Sequence, residues 1–526
     1  MTGFPWLTVL TFLPAAGAAV GLLFPGRARN LHRLWALLVT LATLGVGLAL
    51  LGPYDFDRAG FQLVERATWV GPLNVQYLLG VDGLSVFLVL LTAFLMPAAV
   101  LVSWTVEHQV KYLMASFLAL ETALLGTFLA LDLLLFFLFF EAMLFPMYLI
   151  IGAWGSERRV HAAVKFFLFT MAGSAFLLVG ILFLYFRAGA ELGRATFDLV
   201  ELQRLELPVT TARWLFLAFL VAFAVKVPLV PLHTWLPDAH TEAPTAGSLV
   251  LAAILLKVGA YGLVRFNLSL FPEAASFFRD LVSVLALVGI VYGAVVALIQ
   301  VDLKRLVAYS SVSHLGFVVL GTFAFDVEGL SGGVLQMVNH GLSTGALFLL
   351  VGMLYDRIHT RDLGRMGGLA VPLPVLTGAF LFVALSSLGL PGLNGFVGEF
   401  LVLLGTFAVS KPYAVAAVTA VVLSAIYLLW AYQRMAHGRP AVVGGAEGHP
   451  GTGRGAPLRD ATPREYLILV PIMAAILFLG VFPKPVLRGI EPAARTAAAC
   501  LEAQARAPAG PIVRVPAPCR LDTGGR

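Results

Sequence analysis

Three ionisable side chains lie deep inside long apolar stretches of this sequence. Glu141 is nine residues beyond Asp132 in LDLLLFFLFFEAMLFPMYLIIGAW, and Lys226 and Lys257 are similarly far inside two later stretches. At about 1.5 Å per helical residue, these positions are roughly 14 to 20 Å from the ends of their stretches. A charge at the centre of a bilayer costs at least about 2.5–3.5 kcal/mol, so such residues typically mark a proton or ion path. Burial disfavours the charged form of all three side chains, which lets them exchange protons.

A lysine near the end of a membrane span can instead reach water along its flexible stem. That alternative fits Lys165 and Lys411, but it does not fit Lys257, which has apolar residues for more than two turns on either side. We therefore predict that the three buried residues take part in proton transfer. Asp132 and Glu121 are nearer the ends of their stretches and are predicted to be interfacial.

Two histidines also fall inside apolar stretches. His314 is in SSVSHLGF and His340 in MVNHGLSTG. Imidazole can relay a proton near neutral pH, although a lone membrane histidine can equally be a satisfied structural polar group, and both interpretations stay open. His233 and His240 flank Pro237 in a predicted cytoplasmic loop and are expected to shape that loop or an entrance to the path.

The composition shows which class of protein positions these residues. Of the 526 residues, 60% are hydrophobic and only 12% are charged, and the mean hydropathy is +0.91. A soluble protein needs far more surface charge. The net charge of +6 is too small and too scattered for a nucleic-acid binder. Two cysteines are too few for a metal cluster, and the sequence has no phosphate-binding loop in the right context, so we expect no cofactor in this chain.

Apolar runs of about 20 residues predict an all-α, polytopic membrane protein of about fourteen transmembrane helices. The predicted spans are residues 4–23, 34–52, 83–104, 112–130, 132–153, 164–186, 213–232, 246–264, 280–299, 303–323, 333–354, 372–409, 413–433 and 466–482. The odd-numbered loops hold 17 lysines and arginines and the even-numbered loops 9. The positive-inside rule therefore predicts cytoplasmic odd loops and both termini outside. The first span is predicted to be an anchor rather than a cleaved signal peptide, because no basic stretch precedes it.

Prolines interrupt two of these spans. Pro228 and Pro231 follow Lys226 closely, and Pro391 interrupts a 38-residue apolar run that is too long to cross the membrane once without a break. Non-helical backbone at membrane depth persists only when it is buried in protein or lines a wet cavity. Glu399 follows Pro391 by eight residues. Broken helices at matching places predict two inverted five-helix repeats, helices 4–8 and 9–13, in which helices 7 and 12 are broken.

The whole chain, 1–526, is predicted to form a single membrane domain. Its predicted parts are N-terminal helices with an external hairpin (1–111, the hairpin over 53–82), the first repeat (112–265), the second repeat (276–434), a cytoplasmic linker (435–465), a last helix (466–482) and an external tail (483–526). From Glu491 the tail is rich in Ala, Pro and Arg, and we expect it to be partly disordered. Cys500 and Cys519 would face an oxidising space, where a disulfide and two idle thiols are both open.

Three segments resemble a known family. HTWLPDAHTEAPTAGSLVLAAILLKVGAYGL (233–263), LPGLNGFVGEF (390–400) and FEAMLFPMYLIIGAWG (140–155) closely resemble the subunit M family of bacterial NADH–quinone oxidoreductase, respiratory complex I. The resemblance extends from about the third span to the fourteenth. The wider family includes subunits L and N and the large subunits of multisubunit sodium/proton antiporters. Glu399 favours subunit M, because the sibling subunits look to carry lysine there.

The resemblance implies an antiporter-like, proton-translocating subunit of this oxidoreductase in the bacterial inner membrane, driven by quinone reduction elsewhere in the complex. Its implied partners are the L-type and N-type membrane subunits and, through the complex, the redox arm. Flavin, iron–sulfur clusters and quinone are implied only in partner subunits. Residue by residue, it implies that Glu141 pairs with Lys226, that Lys257 is the central carrier, that His314 and His340 bridge, and that Glu399 leads to the outer side.

Two other interpretations stay open. The first is the large subunit of a multisubunit sodium/proton antiporter, which would use the same buried residues. Sodium sites usually need several oxygen ligands together, and the sequence has no cluster of intramembrane carboxylates. The second is a membrane scaffold whose proton path has decayed.

Overall fold

Long α-helices joined by short loops form most of the computed structural model, which describes residues 4–438, 458–506 and 510–521. The long helices are α1 (Trp6–Gly21), α2 (Arg29–Ala49), α3 (Val86–Val102), α4 (Val110–Leu129), α5 (Leu133–Trp154), α6 (Arg159–Glu191), α7 (Val209–Lys226), α8 (Thr245–Leu268), α9 (Arg279–Leu298), α10 (Leu303–Thr322), α11 (Val327–Ile358), α12 (Pro374–Ser387), α13 (Asn394–Val409), α14 (Lys411–Ala436), α15 (Pro463–Val481) and α16 (Lys484–Arg506). Short helices cover Leu199–Leu202, Trp235–Glu242 and Pro272–Phe277. Among the described residues, eleven helices are long and apolar enough to cross a membrane. The predicted helical, multi-pass membrane class is confirmed.

A β-hairpin caps one end of the helices. Strands β1 (Gln62–Val70) and β2 (Val75–Val81) pair antiparallel, which confirms the hairpin predicted over 53–82. Glu65 on β1 accepts hydrogen bonds from the backbone N–H groups at the start of α1, 2.7 and 2.9 Å away. We call this end, with the hairpin, the start of α1 and α16, the hairpin face. The opposite end, where α5 stops at Trp154 and α15 starts, is the linker face.

The interior of the protein consists of helices that are buried on nearly every side. In the most hydrophobic 18-residue stretches of α8 and α11, 100% and 94% of the residues are buried. In the corresponding stretches of α2, α6, α14 and α15, at most 39% of the residues are buried. Leu and Val side chains on the peripheral helices are exposed, as expected for surfaces that face lipid. The fully buried helices α8 and α11 carry Lys257 and His340, so the fold places these two side chains where water is excluded.

Both predicted helix breaks are present. Helix α7 ends at Lys226, residues 227–234 are not helical, and helix resumes at Trp235–Glu242. The apolar run predicted as one span over 372–409 is two helices, α12 and α13, separated by residues 388–393 around Pro391. Proline removes a backbone donor and clashes with the preceding turn, which explains why each helix stops where it does.

The C-terminal tail is more ordered than its composition suggests. The expectation of disorder from Glu491 is wrong for 491–506, because α16 continues to Arg506. Its apolar residues share one face and are buried against α11 and the short helix Pro272–Phe277; they are Ile490, Ala494, Ala498 and Leu501. A disulfide joins Cys500 to Cys519, and the short strands β3 (Leu207–Pro208) and β4 (Ile512–Val513) pair antiparallel. Of the predicted linker over 435–465, residues 439–457 lie outside the described part of the chain.

Candidate functional site: a buried line of ionisable residues

Four of the predicted site residues form a line through the buried centre of the protein. Lys257 Nζ lies 2.6 Å from His340 Nδ1. The rings of His340 and His314 are 5.9 Å apart between centroids, and His314 Nδ1 lies 2.7 Å from Glu399 Oε1. Each of the four residues is at most 4% exposed. The structure therefore brings together one amine, two imidazoles and one carboxyl group that could pass a proton from one to the next.

Helix α8 is distorted where it carries Lys257. Residues Leu251–Leu255, just before the lysine, and Leu263–Leu268, after it, are wound as π-helix, in which each carbonyl bonds five residues on instead of four. The carbonyl oxygen of Ala252, in the first of these segments, accepts a hydrogen bond from Lys257 Nζ. Single π-helical turns of this kind are frequent at functional sites. The local distortion thus holds the amine between the Ala252 carbonyl and His340.

Neighbouring polar groups fix the carboxylate end of the line. Gln336 Nε2 donates to Glu399 Oε1 at 3.0 Å. The hydroxyl group of Tyr427 lies 3.4 Å from His314 Nε2, on the side of the ring away from Glu399. His340 Nε2 has no hydrogen-bond partner. The ring of His340 therefore keeps one nitrogen available for a second proton-transfer partner or a bridging water.

The other two predicted residues lie close to this line but are less tightly held. Lys226 is 0% exposed, and its amine has no hydrogen-bond partner. It lies 4.7 Å from the centroid of the Phe140 ring. The predicted pairing of Lys226 with Glu141 is therefore not a direct hydrogen bond. The amine instead faces the ring of Phe140, the neighbour of Glu141. Glu141 itself is partly buried, and its Oε1 is also without a partner.

A glycine lets helices α7 and α8 approach closely at Lys226. A Cβ atom added at Gly259 would lie 2.7 Å from Lys226 Cβ and 2.8 Å from the carbonyl oxygen of Phe223. Real Cβ atoms do not come so near a neighbour without moving it. Gly259 is two residues beyond Lys257, so this contact fixes the relative position of the two buried lysines.

Sequence reasoning identified His240 only as a residue that shapes a loop or an entrance to the path. It was assigned to a loop, but it lies in the short helix Trp235–Glu242, is 0% exposed and stacks on Phe348 with ring centroids 4.5 Å apart. Neither of its ring nitrogens has a hydrogen-bond partner. The charges of Lys304, Lys257 and His340 all act on it. In the sequence, His240 lies eight residues before Ser248, which is in the first turn of α8. This position, on the linker-face side of Lys257, is the signal that could have found it.

Two carboxylates differ in how far they match the expectation. Asp132 caps the start of α5, accepting from the backbone N–H groups of Leu134 and Leu135 at 3.0 Å. It lies at the end of the helix, as predicted, but it is 0% exposed and so does not face water. The interfacial assignment of Glu121 is wrong, because it is 0% exposed in the middle of α4 and both of its carboxyl oxygens lack partners.

A cavity on the hairpin face lies beyond Glu399. Thr406 is seven residues further along α13 and therefore on the same side of the helix, about 10.5 Å away. It lines a cavity of about 260 Å³ together with Ser283, Tyr413 and the charged residues Arg279 and Asp280. Polar groups thus lie between Glu399 and the hairpin face.

Comparison with known proteins identifies the family. Residues 130–424 match the family model described as "NADH:quinone oxidoreductase/Mrp antiporter, TM". A protein from Rhodobacter capsulatus named NADH-quinone oxidoreductase subunit M is 45% identical, over 91% of this chain and 93% of that protein. The chain belongs to the NADH:quinone oxidoreductase/Mrp antiporter family. All six predicted site residues fall inside the matched region.

Solved structures support the same family membership. A chain of "Respiratory complex I from Thermus thermophilus with bound NADH" is similar to this protein with a TM-score of 0.83 and 35% identity, covering 94% of this chain and 99% of that one. A chain of "Structure of Mrp complex from Dietzia sp. DQ12-45-1b" has a TM-score of 0.81 at 21% identity, covering 95% and 99%. The second likeness is one of fold alone. Among the described residues, no group of three or more side chains could hold a metal ion.

Proposed function

We propose that this chain is the M-type, proton-translocating membrane subunit of a NADH–quinone oxidoreductase. The observation that carries the proposal is the buried line Lys257–His340–His314–Glu399, with contacts of 2.6 and 2.7 Å at its two ends. Its members can each bind and release a proton. They are buried in the membrane-spanning part of the protein, where ionisable residues typically mark a proton path. From the similarity to subunit M proteins we infer the driving reaction, which is the reduction of quinone by NADH in the rest of the complex.

The proton enters from the linker face and leaves at the hairpin face. His240 receives it near the linker face, and Lys257 is the central carrier. His340 and His314 pass it across the middle of the protein. Glu399 releases it toward Thr406 and the cavity beside Tyr413. The centroids of the two imidazole rings are 5.9 Å apart, so proton transfer between the rings needs a small rotation of one ring or a bridging water.

Lys226 is the switch that drives the proton off Lys257. Two ammonium groups held in a low-dielectric interior repel each other, which lowers the proton affinity of each. The amine of Lys226 has no hydrogen-bond partner, and we propose that it moves toward Glu141 or toward Lys257. When Lys226 is attracted to Glu141, its repulsion of Lys257 weakens. When Glu141 releases Lys226, the repulsion returns. Glu141 therefore sets when Lys257 gives up its proton.

The broken helices support the predicted inverted repeats. The first repeat comprises α4–α8, broken after Lys226, and the second comprises α9–α14, broken between α12 and α13. We place about fourteen spans in the bacterial inner membrane with both termini outside. The disulfide Cys500–Cys519 favours this orientation, because disulfides persist on the oxidising side of the membrane and this one lies at the hairpin face.

The remaining chemistry belongs to other subunits. L-type and N-type antiporter-like subunits are the proposed neighbours in the membrane. Flavin, iron–sulfur clusters and the quinone site belong to partner subunits of the same complex. This chain contributes proton transfer and no redox step.

Purification of the tagged chain from native membranes tests the proposal. We expect flavin and iron–sulfur proteins to co-purify, and reconstituted vesicles to take up protons when NADH and quinone are supplied. Lys411→Met is the matched control for changes at buried lysines, because Lys411 is exposed at the start of α14. Purification without redox proteins, with sodium/proton exchange that needs no NADH, would instead assign the chain to a sodium/proton antiporter.

A further inference from the structure

A buried ion pair lies on the hairpin-face side of Lys257. Arg265 Nη2 is 2.5 Å from Asp82 Oδ1, and the two residues are 1% and 3% exposed. Arg265 Nε also donates to the hydroxyl group of Tyr261 at 3.0 Å, and the guanidinium lies 4.8 Å from the ring centroid of Phe61 in the hairpin segment. Groups from the hairpin segment and from α8 itself thus hold one arginine in a fixed position.

A cavity leads from the hairpin face to this pair. It has a volume of about 210 Å³, and Asp82, Arg265 and Ser269 line it together with the disulfide of the tail. This volume accommodates several water molecules. Water from the hairpin face can therefore reach Arg265, so the ion pair is the inner end of the cavity.

The pair separates the cavity from the central carrier. Arg265 is eight residues beyond Lys257 on α8, about 12 Å along the axis, and Tyr261 lies halfway between them on the same side of the helix. Tyr261 donates to the carbonyl oxygen of Phe128 at 3.1 Å, which ties it to α4. On the proposed function, a proton held by Lys257 must not escape along this short route, since it has to cross to Glu399 first.

We propose that the Arg265–Asp82 pair, closed by Tyr261, is a seal that stops protons from leaking between Lys257 and the hairpin face. Arginine stays protonated in proteins, so it cannot act as a relay, and its fixed positive charge repels an incoming proton. Asp82 is occupied by Arg265 and by the backbone N–H groups of Leu84 and Ser85. The proposal rests on the proposed function, because it needs Lys257 to be a proton carrier.

The expected leak follows from the charge that is lost. Two unit charges about 12 Å apart at an effective dielectric constant near 20 repel enough to change a proton rate about tenfold. We therefore expect Arg265→Gln to raise the passive proton leak of reconstituted complex about tenfold when a pH gradient is imposed without NADH. Protons pumped per NADH should fall while quinone reduction continues. Arg265→Lys keeps the charge and should stay close to wild type.

Matched variants keep the test decisive. Arg514→Gln removes an exposed arginine at the hairpin face that pairs with Glu206, and it should not leak. If Arg265→Gln alone does not assemble because Asp82 is left unpaired, the double variant Asp82→Asn, Arg265→Gln keeps a polar, uncharged pair for the same measurement. An assembled variant without the arginine charge that is as tight as wild type would overturn the proposal.

A second double variant separates this inference from the function itself. Adding Lys257→Met to Arg265→Gln should remove the extra leak, because the leak passes through the lysine. A leak that persists in this double variant follows a route that bypasses Lys257 and contradicts the seal. Normal pumping by Lys257→Met alone would contradict the proposed function, and it is measured independently of the leak.

Discussion

Replacing Glu399 by glutamine removes the titratable group at the end of the buried line while keeping its shape. The Oε1 atom of Glu399 accepts from His314 at 2.7 Å and from Gln336 at 3.0 Å, and the side chain is 4% exposed. A hydrogen bond to a charged group contributes about 1.5–3 kcal/mol and a neutral one about 0.5–1.5. The loss of charge on two bonds therefore costs roughly 2–3 kcal/mol, which slows or weakens assembly without preventing it.

Proton transfer is affected much more strongly than stability. An amide can keep one acceptor oxygen toward His314, but it cannot take up and release a proton. We expect Glu399→Gln to lower proton uptake at least about tenfold, the effect of about 1.4 kcal/mol on a rate, and at most about 10⁴-fold, the upper range for a general acid or base. Glu399→Asp should keep a substantial fraction, because the carboxyl group remains but withdraws from His314 by about one carbon–carbon bond, roughly 1.5 Å.

The assay is NADH-driven proton uptake, measured together with quinone reduction in vesicles that contain equal amounts of assembled complex. Glu491→Gln is the control, since Glu491 is an exposed glutamate on α16 that pairs with Arg495. Equal proton uptake by Glu399→Gln and wild type would refute the role of this carboxyl group. Equal loss in the aspartate and glutamine variants would show that position, rather than titration, is what matters.

Four further changes test other parts of the path. Lys226→Ala and Glu141→Gln should each assemble and pump poorly, because each removes one partner of the switch; normal pumping in either one removes that residue from the mechanism. Gly259→Ala should cost about 1–3 kcal/mol of stability and reduce pumping, because its Cβ would meet Lys226 Cβ at 2.7 Å, whereas Gly45→Ala, with nothing within 4 Å, should do neither. His240→Phe keeps the stacking on Phe348 and removes the imidazole, so the complex should assemble with slow proton uptake from the linker face; an unchanged uptake rate would place the entrance elsewhere.

Much of the fold could be predicted because apolar run length and proline position depend only on local sequence. The breaks after Lys226 and around Pro391 were visible as missing backbone donors in runs that otherwise favour helix. The hairpin over 53–82 was visible from its alternating pattern. The order of α16 could not be predicted, because it depends on burial of Ile490 and Leu501 against elements far away in the sequence.

The site was predictable in its members but not in its contacts. A charged residue in an apolar run is conspicuous whatever its partner, so Lys257 and Glu399 were found at once. Sequence position could not show that the Lys226 amine faces the Phe140 ring without a hydrogen bond to Glu141, since that depends on side-chain direction. It also could not show that His240 is fully buried, because His240 lies in a segment that resembles a loop. Glu121, by contrast, is nine residues from each end of the predicted span 112–130, so its burial could have been expected.

Proton uptake per NADH oxidised by complexes that carry Lys257→Met or Lys257→Arg tests the central claim most directly. Lys257 is 0% exposed and contacts His340 at 2.6 Å, so methionine fills the same apolar space without a proton, and arginine keeps a charge that it cannot release. The account predicts that both variants assemble and that both lose most of their proton uptake. Uptake by the arginine variant equal to that of wild type would show that Lys257 is a fixed charge rather than a carrier, and uptake by the methionine variant equal to wild type would remove it from the path.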